Sequence, residues 1–274
     1  MPSHSPTHSP VGRVLYQARS DFQEIVLSEE PDGHINLTLD DVWQFRSQDE
    51  FVFHETLADT PMLMAATPAR ILILGGGDGL ALRNVLRHPG VEQVTLCELD
   101  PCVLEMTQTI PAMLELSENS LADRRLQLVT GDALAFIETD QTRYDVVICD
   151  FPAETRAELS RLFSPDFFRQ LRARTHAQSV VAVQVSQDPE GFWRVCDAVE
   201  RSFAWIQPML ANLDLGSDED DWADFVIASQ TPKQALRDPP DEVRFLSRER
   251  IPRLRIRNRD GARFETEEYG LLEF

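Results

Sequence analysis

The chain is poor in cysteine, poor in cations and free of long apolar runs, and each shortage excludes a class of protein. Four cysteines in 274 residues, Cys97, Cys102, Cys149 and Cys196, contain no CxxC pair. That count and spacing argue against a disulfide framework and a zinc site, and a reducing compartment, the cytoplasm, is expected. Cys97 and Cys149 lie inside apolar runs, where a reduced cysteine behaves as a small hydrophobe. No apolar run approaches the ~20 residues that cross a bilayer, so no membrane partner is expected. Met1 to Pro10 is rich in Ser, Pro and His and lacks the charged start and apolar stretch of a secretion signal. Residues 1–10 therefore read as a disordered lead-in. Lys and Arg number 26 against 46 Asp and Glu, a formal charge of −20. Nucleic acid is a poor partner for such a surface. The excess acid serves solubility through self-repulsion, or steers a cationic ligand toward an acidic cleft; charge alone does not choose.

What is present is an alternation. Residues 11–66 carry short strand patterns at Glu24–Leu27, Ile35–Leu39 and Val42–Phe45, then a helix from Glu50 to Met64, and form an N-terminal β domain with its gate segment. From residue 67 to 274 the pattern is strand–helix–strand. Arg70 to Leu74 is a continuous apolar run, as for a strand covered on both faces. Strands at Val91–Glu98, Leu126–Val129, Asp145–Cys149, Ser179–Val185 and Trp222–Ala228 alternate with helices at Leu80–Arg87, Pro101–Leu114, Ala133–Glu138, Phe163–Arg174 and Phe192–Ser202. The spacing predicts an α/β fold with a doubly wound, mostly parallel, Rossmann-like sheet.

Ligands of such sheets bind beyond the carboxyl ends of the strands. Four strand ends carry acids. Gly75-Gly76-Gly77-Asp78-Gly79 follows the first; Leu80 and Leu82 occupy the third-glycine positions of a dinucleotide motif, and Asp78 suits a cation better than a pyrophosphate. Glu98, about 20 residues on, is placed to accept ribose hydroxyls, with a solvated strand end as the plain alternative. Asp100 reads as the N-cap of the helix opened by Pro101. Asp132, in Gly131-Asp132-Ala133, could meet an adenine amino group or simply cap a helix. Asp150 would face the reacting centre or cap a turn. Acids at four consecutive strand ends are hard to explain by capping alone.

The ordered set Ile71 to Gly79, Leu82-Arg83, His88-Pro89, Glu98-Leu99-Asp100-Pro101, Gly131-Asp132-Ala133 and Tyr144 to Ile148 resembles the polyamine aminopropyltransferases, the spermidine synthase family. Upstream, Phe22-Gln23-Glu24-Ile25 and Trp43-Gln44-Phe45 with Asp49 to Glu55 are similar to that family's nucleoside-contacting and gate segments. The resemblance implies transfer of an aminopropyl group from decarboxylated S-adenosylmethionine, as co-substrate, to a putrescine-like cationic amine, releasing methylthioadenosine. It implies Gln23, Gly75, Gly77, Asp78, Gly79, Glu98, Asp132 and Ala133 around the nucleoside, and Gln44, His54, Asp78 and Asp150 around the amine, with Asp150 as the base. It implies no metal, and a homodimer or homotetramer.

Three departures fall on the acceptor side. The family's second aspartate after the fourth strand is missing from Asp150-Phe151-Pro152-Ala153-Glu154, where Glu154 could supply a displaced carboxylate. The gate tyrosine is Phe53. The segment Asp214 to Asp221 is acidic rather than Pro-rich. Two other readings therefore stand beside aminopropyl transfer: a methyltransferase using S-adenosylmethionine itself, and a catalytically weakened relative that binds nucleoside.

Overall fold

In the computed structural model, residues 12–152, 157–185, 189–212, 222–258 and 263–273 are described. A four-stranded antiparallel sheet comes first, in the order β1-β2-β3-β4: β1 (Arg13–Arg19), β2 (Glu24–Glu29), β3 (Ile35–Leu39) and β4 (Val42–Arg46). Helix α1 (Glu50–His54) runs through a π turn (Glu55–Asp59) into α2 (Thr60–Met64).

The main sheet has seven strands in the order β10-β11-β9-β8-β5-β6-β7. They are β5 (Arg70–Gly75), β6 (Gln93–Glu98), β7 (Leu126–Thr130), β8 (Tyr144–Asp150), β9 (Thr175–Gln184), β10 (Trp205–Asn212) and β11 (Trp222–Ser229). Strands β5 to β9 pair in parallel, while β11 runs against both β9 and β10. Between them lie α3 (Leu80–Leu86), α4 (Pro101–Thr109), α5 (Pro111–Leu116), α6 (Ala133–Thr139), α7 (Ala157–Ser160), α8 (Pro165–Ala173) and α9 (Pro189–Glu200). A hairpin, β12 (Arg263–Thr266) and β13 (Gly270–Glu273), follows.

Strand β5 is apolar from Ile71 to Leu74 because both its faces are covered there. Leu72 and Leu74 join Val147, Cys149, Phe167, Phe168 and Phe192 on one side. Ile71 and Ile73 join Val52, Met62, Leu82 and Val85 on the other. The helix over residues 50–64, grouped by sequence with the N-terminal strands, thus belongs to the core of the main sheet. The N-terminal sheet rests on a third cluster, in which Ile25, Leu27 and Leu37 meet Leu80, Val103, Met106 and Met113.

Two sequence expectations need correction. The helix expected over Pro101–Leu114 is two helices, because Pro111 cannot continue a helix and holds Ile110 extended (φ −83°, ψ 120°). Strand β10 escaped notice because Pro208 interrupts its pattern; as the edge strand it tolerates a residue with no N–H to donate.

Candidate active site

Strand β5 has β6 on one side and β8 on the other, so the chain reverses direction of winding beside it. The crevice at that switch point is where an open α/β sheet takes its ligand, and the glycine loop leaves β5 there. At Gly76, with φ +68°, a Cβ would lie 2.8 Å from Asp150 Oδ2. At Gly77 it would lie 2.6 Å from Glu98 Cγ. The loop is glycine-rich because it must press its backbone against both carboxylates. Asp78 turns at its far end, its Oδ1 accepting from Leu80 N at 2.9 Å, and Gly79 caps α3 in the left-handed region.

Glu98 ends β6 almost fully buried. Its Oε2 accepts from Gly77 N at 3.0 Å and its Oε1 from Asp100 N at 2.8 Å. Burial, with the charges of Asp78 and Asp100, lifts its pKa to about 7 against the pull of those two N–H groups. Each oxygen keeps a lone pair for another donor. Asp100 is the N-cap of α4, accepting from Cys102 N at 2.9 Å. Gln23 Nε2 and Ser20 Oγ both donate to Asp100 Oδ2, at 3.0 and 2.6 Å, which ties the N-terminal sheet to the rim of the crevice.

Asp132 caps α6 through Ala135 N at 2.9 Å and pairs with Arg161 through its other oxygen. Both its oxygens are engaged at the mouth of the crevice. Ala133 opens α6 and is buried against the core.

The group around His54 is tighter. One nitrogen or oxygen from each of His54, Asp78 and Asp150 lies within 4.8 Å of the others. Asp150 ends β8, and its Oδ2 is buried with no hydrogen-bond partner among the described residues. Burial, then the negative charge of Asp78, raise its pKa, with His54 pulling the other way. His54 Nδ1 faces Glu50 Oε2 at 2.8 Å, and Arg83 holds Glu50 by two bonds of 2.9 and 3.0 Å. Burial opposes charge on His54, but the Glu50 hydrogen bond and the carboxylates of Glu50, Asp78 and Asp150 prevail and raise its pKa. Phe53, at the gate tyrosine's position, packs edge-on to His54 (5.0 Å between centroids) and against Phe225 (5.2 Å).

The structure thus joins His54, Asp78 and Asp150, with Glu98 and the glycines adjoining. Gln44 Nε2 donates to Val42 O within its own strand at 3.2 Å. Glu154 and the acidic segment Asp214 to Asp221 lie outside the described residues. Sequence reading missed Glu50 and Arg83 as members of the site. The signal was there: Glu50 and His54 stand four apart on one helix face.

Comparison with known proteins gives the same assignment from outside. The spermine/spermidine synthase domain model matches residues 50–208, more than half of the chain. A polyamine aminopropyltransferase of Leptospira interrogans is 30% identical over 259 residues, covering 93% of this chain and 51% of that protein. The chain spans about half the length of the curated relatives it matches first. A crystal structure of spermidine synthase in complex with the transition-state analogue AdoDATO superposes with a TM-score of 0.78 at 26% identity, covering 87% of this chain and 83% of that one. Spermidine synthase from Thermotoga maritima gives 0.75 at 26% identity, with 87% and 82% covered. A seven-stranded Rossmann-like sheet, a glycine loop closed on two carboxylates and these matches lead to one conclusion: the chain belongs to the spermine/spermidine synthase family.

Proposed function

We propose that the protein transfers an aminopropyl group from decarboxylated S-adenosylmethionine to a putrescine-like amine and releases methylthioadenosine. One observation carries the reading: Asp150 presents a buried carboxylate oxygen, without a partner among the described residues, beside His54 and Asp78, at the end of the strand next to the glycine loop. An orphan acceptor of that kind is costly unless a donor arrives, and a cationic amine is such a donor.

The residues fit the nucleoside. The free lone pairs of Glu98 suit the two ribose hydroxyls, and Gly75, Gly77 and Gly79 leave room for backbone to approach it. Asp132 and Ala133 face the base, and Gln23 steadies the rim through Asp100. Asp78 attracts the terminal ammonium of the decarboxylated donor and repels the extra carboxylate of S-adenosylmethionine, which argues against methyl transfer. In the reaction the acceptor nitrogen attacks the methylene next to sulfur. A C–N bond forms, the C–S bond breaks with its electron pair left on sulfur, and a proton of the attacking nitrogen passes to Asp150. Alignment of nitrogen and carbon contributes several kcal/mol, up to ~7–11 in ideal cases, and the base roughly 10²–10⁴-fold.

No metal has a part in this scheme, although an imidazole and two carboxylates form a donor set a divalent ion could use. Turnover unaltered by a chelator is the expected result. A cytoplasmic homodimer or homotetramer belongs to the same reading; among the described residues no helix is long and apolar enough to cross a membrane. The test is product formation with putrescine, spermidine, cadaverine and agmatine, followed by mass spectrometry, together with calorimetric affinities for methylthioadenosine and both donors. Tighter binding of the carboxylated donor would overturn the assignment. Donor binding without product from any amine would favour the weakened, nucleoside-binding alternative.

A further inference from the structure

Behind the acceptor carboxylates lies a buried polar array that the transfer step above leaves unused. His88 Nε2 meets Asp59 Oδ1 at 2.7 Å, and Asn84 Nδ2 donates to Asp59 Oδ2 at 2.8 Å. Arg83 Nε donates to Asn84 Oδ1 at 3.0 Å, Arg83 forks onto Glu50, and Glu50 meets His54. None of these six side chains is more than 5% exposed. The array therefore runs from α3 to the mouth of the acceptor site inside the core.

Its chemistry is directional. A guanidinium fork fixes the plane of the carboxylate it holds. Burial opposes ionisation of Glu50, yet the hydrogen bond and charge of His54 and the charge of Arg83 hold its pKa down at about 2. Glu50 is thus an acceptor only, and the hydrogen shared with His54 sits on Nδ1. That leaves Nε2 as the nitrogen for the acceptor carboxylates. Among the described residues, the charged groups acting on the ring are Glu50 on its own helix, Asp78 on the glycine loop and Asp150 at the end of β8. Arg83 stands behind Glu50, and Glu98 acts on Asp150 from beyond. Phe53 adds an apolar wall.

We infer that Glu50 and Arg83 are positioning residues for the transfer: by engaging the Nδ1–H of His54 they aim its Nε2–H at the Asp78–Asp150 pair and make His54 a resident cation of the acceptor site. The inference rests on the aminopropyl-transfer reading. Two consequences follow. The cation keeps Asp150 ionised among neighbouring carboxylates, ready to receive a proton. A fixed positive charge beside the attacking nitrogen also disfavours its ammonium form and so favours the neutral nucleophile.

The pH–rate profile of Glu50→Gln tests this. Without the Glu50 charge His54 is a weaker cation and Asp150 holds its proton to higher pH. The acid limb of kcat/KM should move up by about one pH unit, and kcat at pH 7 should fall about tenfold or more. The Kd for methylthioadenosine should change less than about threefold, and Glu50→Asp should restore the limb. A loss of kcat at every pH with the limb unmoved would overturn the assignment. A second measurement needs no folded Glu50 variant and no turnover: ¹⁵N NMR of histidine-labelled wild-type protein, with the His54 signals identified as those absent from His54→Gln. Both ring nitrogens should be protonated at pH 7. A deprotonated Nε2 or Nδ1 there would overturn the inference and leave the reaction assignment standing, whereas absence of product from every amine would overturn the reaction and leave the NMR result intact.

Discussion

Strand β8 carries an aspartate near each end, and the two have opposite surroundings. Asp145, at the amino end, is fully employed. Its Oδ2 accepts from Ala69 N and Arg70 N at 3.0 and 2.8 Å, and its Oδ1 faces His176 Nε2 at 2.8 Å. Asp150, at the carboxyl end, has a buried oxygen with no partner among the described residues, and close negative neighbours. Capping and turn chemistry account for Asp145 completely. They leave Asp150 unexplained, and the residue that structural needs do not explain sits at the sheet's ligand edge. Proteins hold such uncompensated groups where function requires them, at the expense of stability.

Substitution at the two positions should separate them. Asp150→Asn is expected to reduce turnover at least 10³-fold while methylthioadenosine still binds, and to raise Tm at pH 8 by a few degrees, since it removes a buried carboxylate that is repelled by Asp78. Asp145→Asn is expected to do the reverse, lowering Tm through weakened bonds to Ala69 and Arg70 and sparing kcat. Equal losses of activity at both ends would dissolve the contrast.

Glu98 sharpens it further, being a carboxylate at the ligand edge that does have backbone partners. Glu98→Gln should weaken methylthioadenosine binding about 100-fold, because the ribose loses a charged acceptor. The substitution also has a pH signature. Burial first, then Asp78 and Asp100, raise Glu98 from an ordinary 4.5 to about 7 in the folded protein. The folded state then holds this proton more tightly than the unfolded chain. The associated stability is present in full below about pH 4.5 and is lost as the pH rises through about 7, on the order of 3 kcal/mol. Glu50 has the opposite sign: lowered to about 2, it adds stability above pH 4.5 that disappears as the pH falls toward 2. Denaturant unfolding of the ligand-free protein between pH 4.5 and 8 should show the first effect, and Glu98→Gln should flatten it.

The sequence made the sheet legible because β5, β6 and β8 are buried on both faces, so mostly apolar runs mark them and the acids that follow mark their ends. Asp78, Glu98 and Asp150 could be placed at one edge for that reason alone. Glu50 and Arg83 could not. They lie 33 residues apart on different helices, and a charge on a helix reads as solvent-facing until the fold buries it. Strand β10 was hidden by Pro208, and the kink at Ile110 by an otherwise helical pattern. The family resemblance supplied roles for Gln23 and Gln44. In the structure Gln23 donates to Asp100, and Gln44 donates to Val42 O within β4.

Asp132 is the position where the two ends of the comparison meet in one residue, for it caps a helix as Asp145 braces a strand, yet it stands at the ligand edge as Asp150 does. Serine distinguishes the roles. A serine hydroxyl caps a helix about as well as a carboxylate, so Asp132→Ser keeps the bond to Ala135 N and should leave Tm within about 2 °C, the exposed pair with Arg161 contributing at most about 1 kcal/mol. The shorter, neutral side chain cannot reach an adenine amino group. If Asp132 contacts the base, methylthioadenosine affinity should drop about five- to tenfold with stability held. An unchanged affinity would make Asp132 a helix cap only, and would leave Glu98 as the carboxylate proposed for the nucleoside.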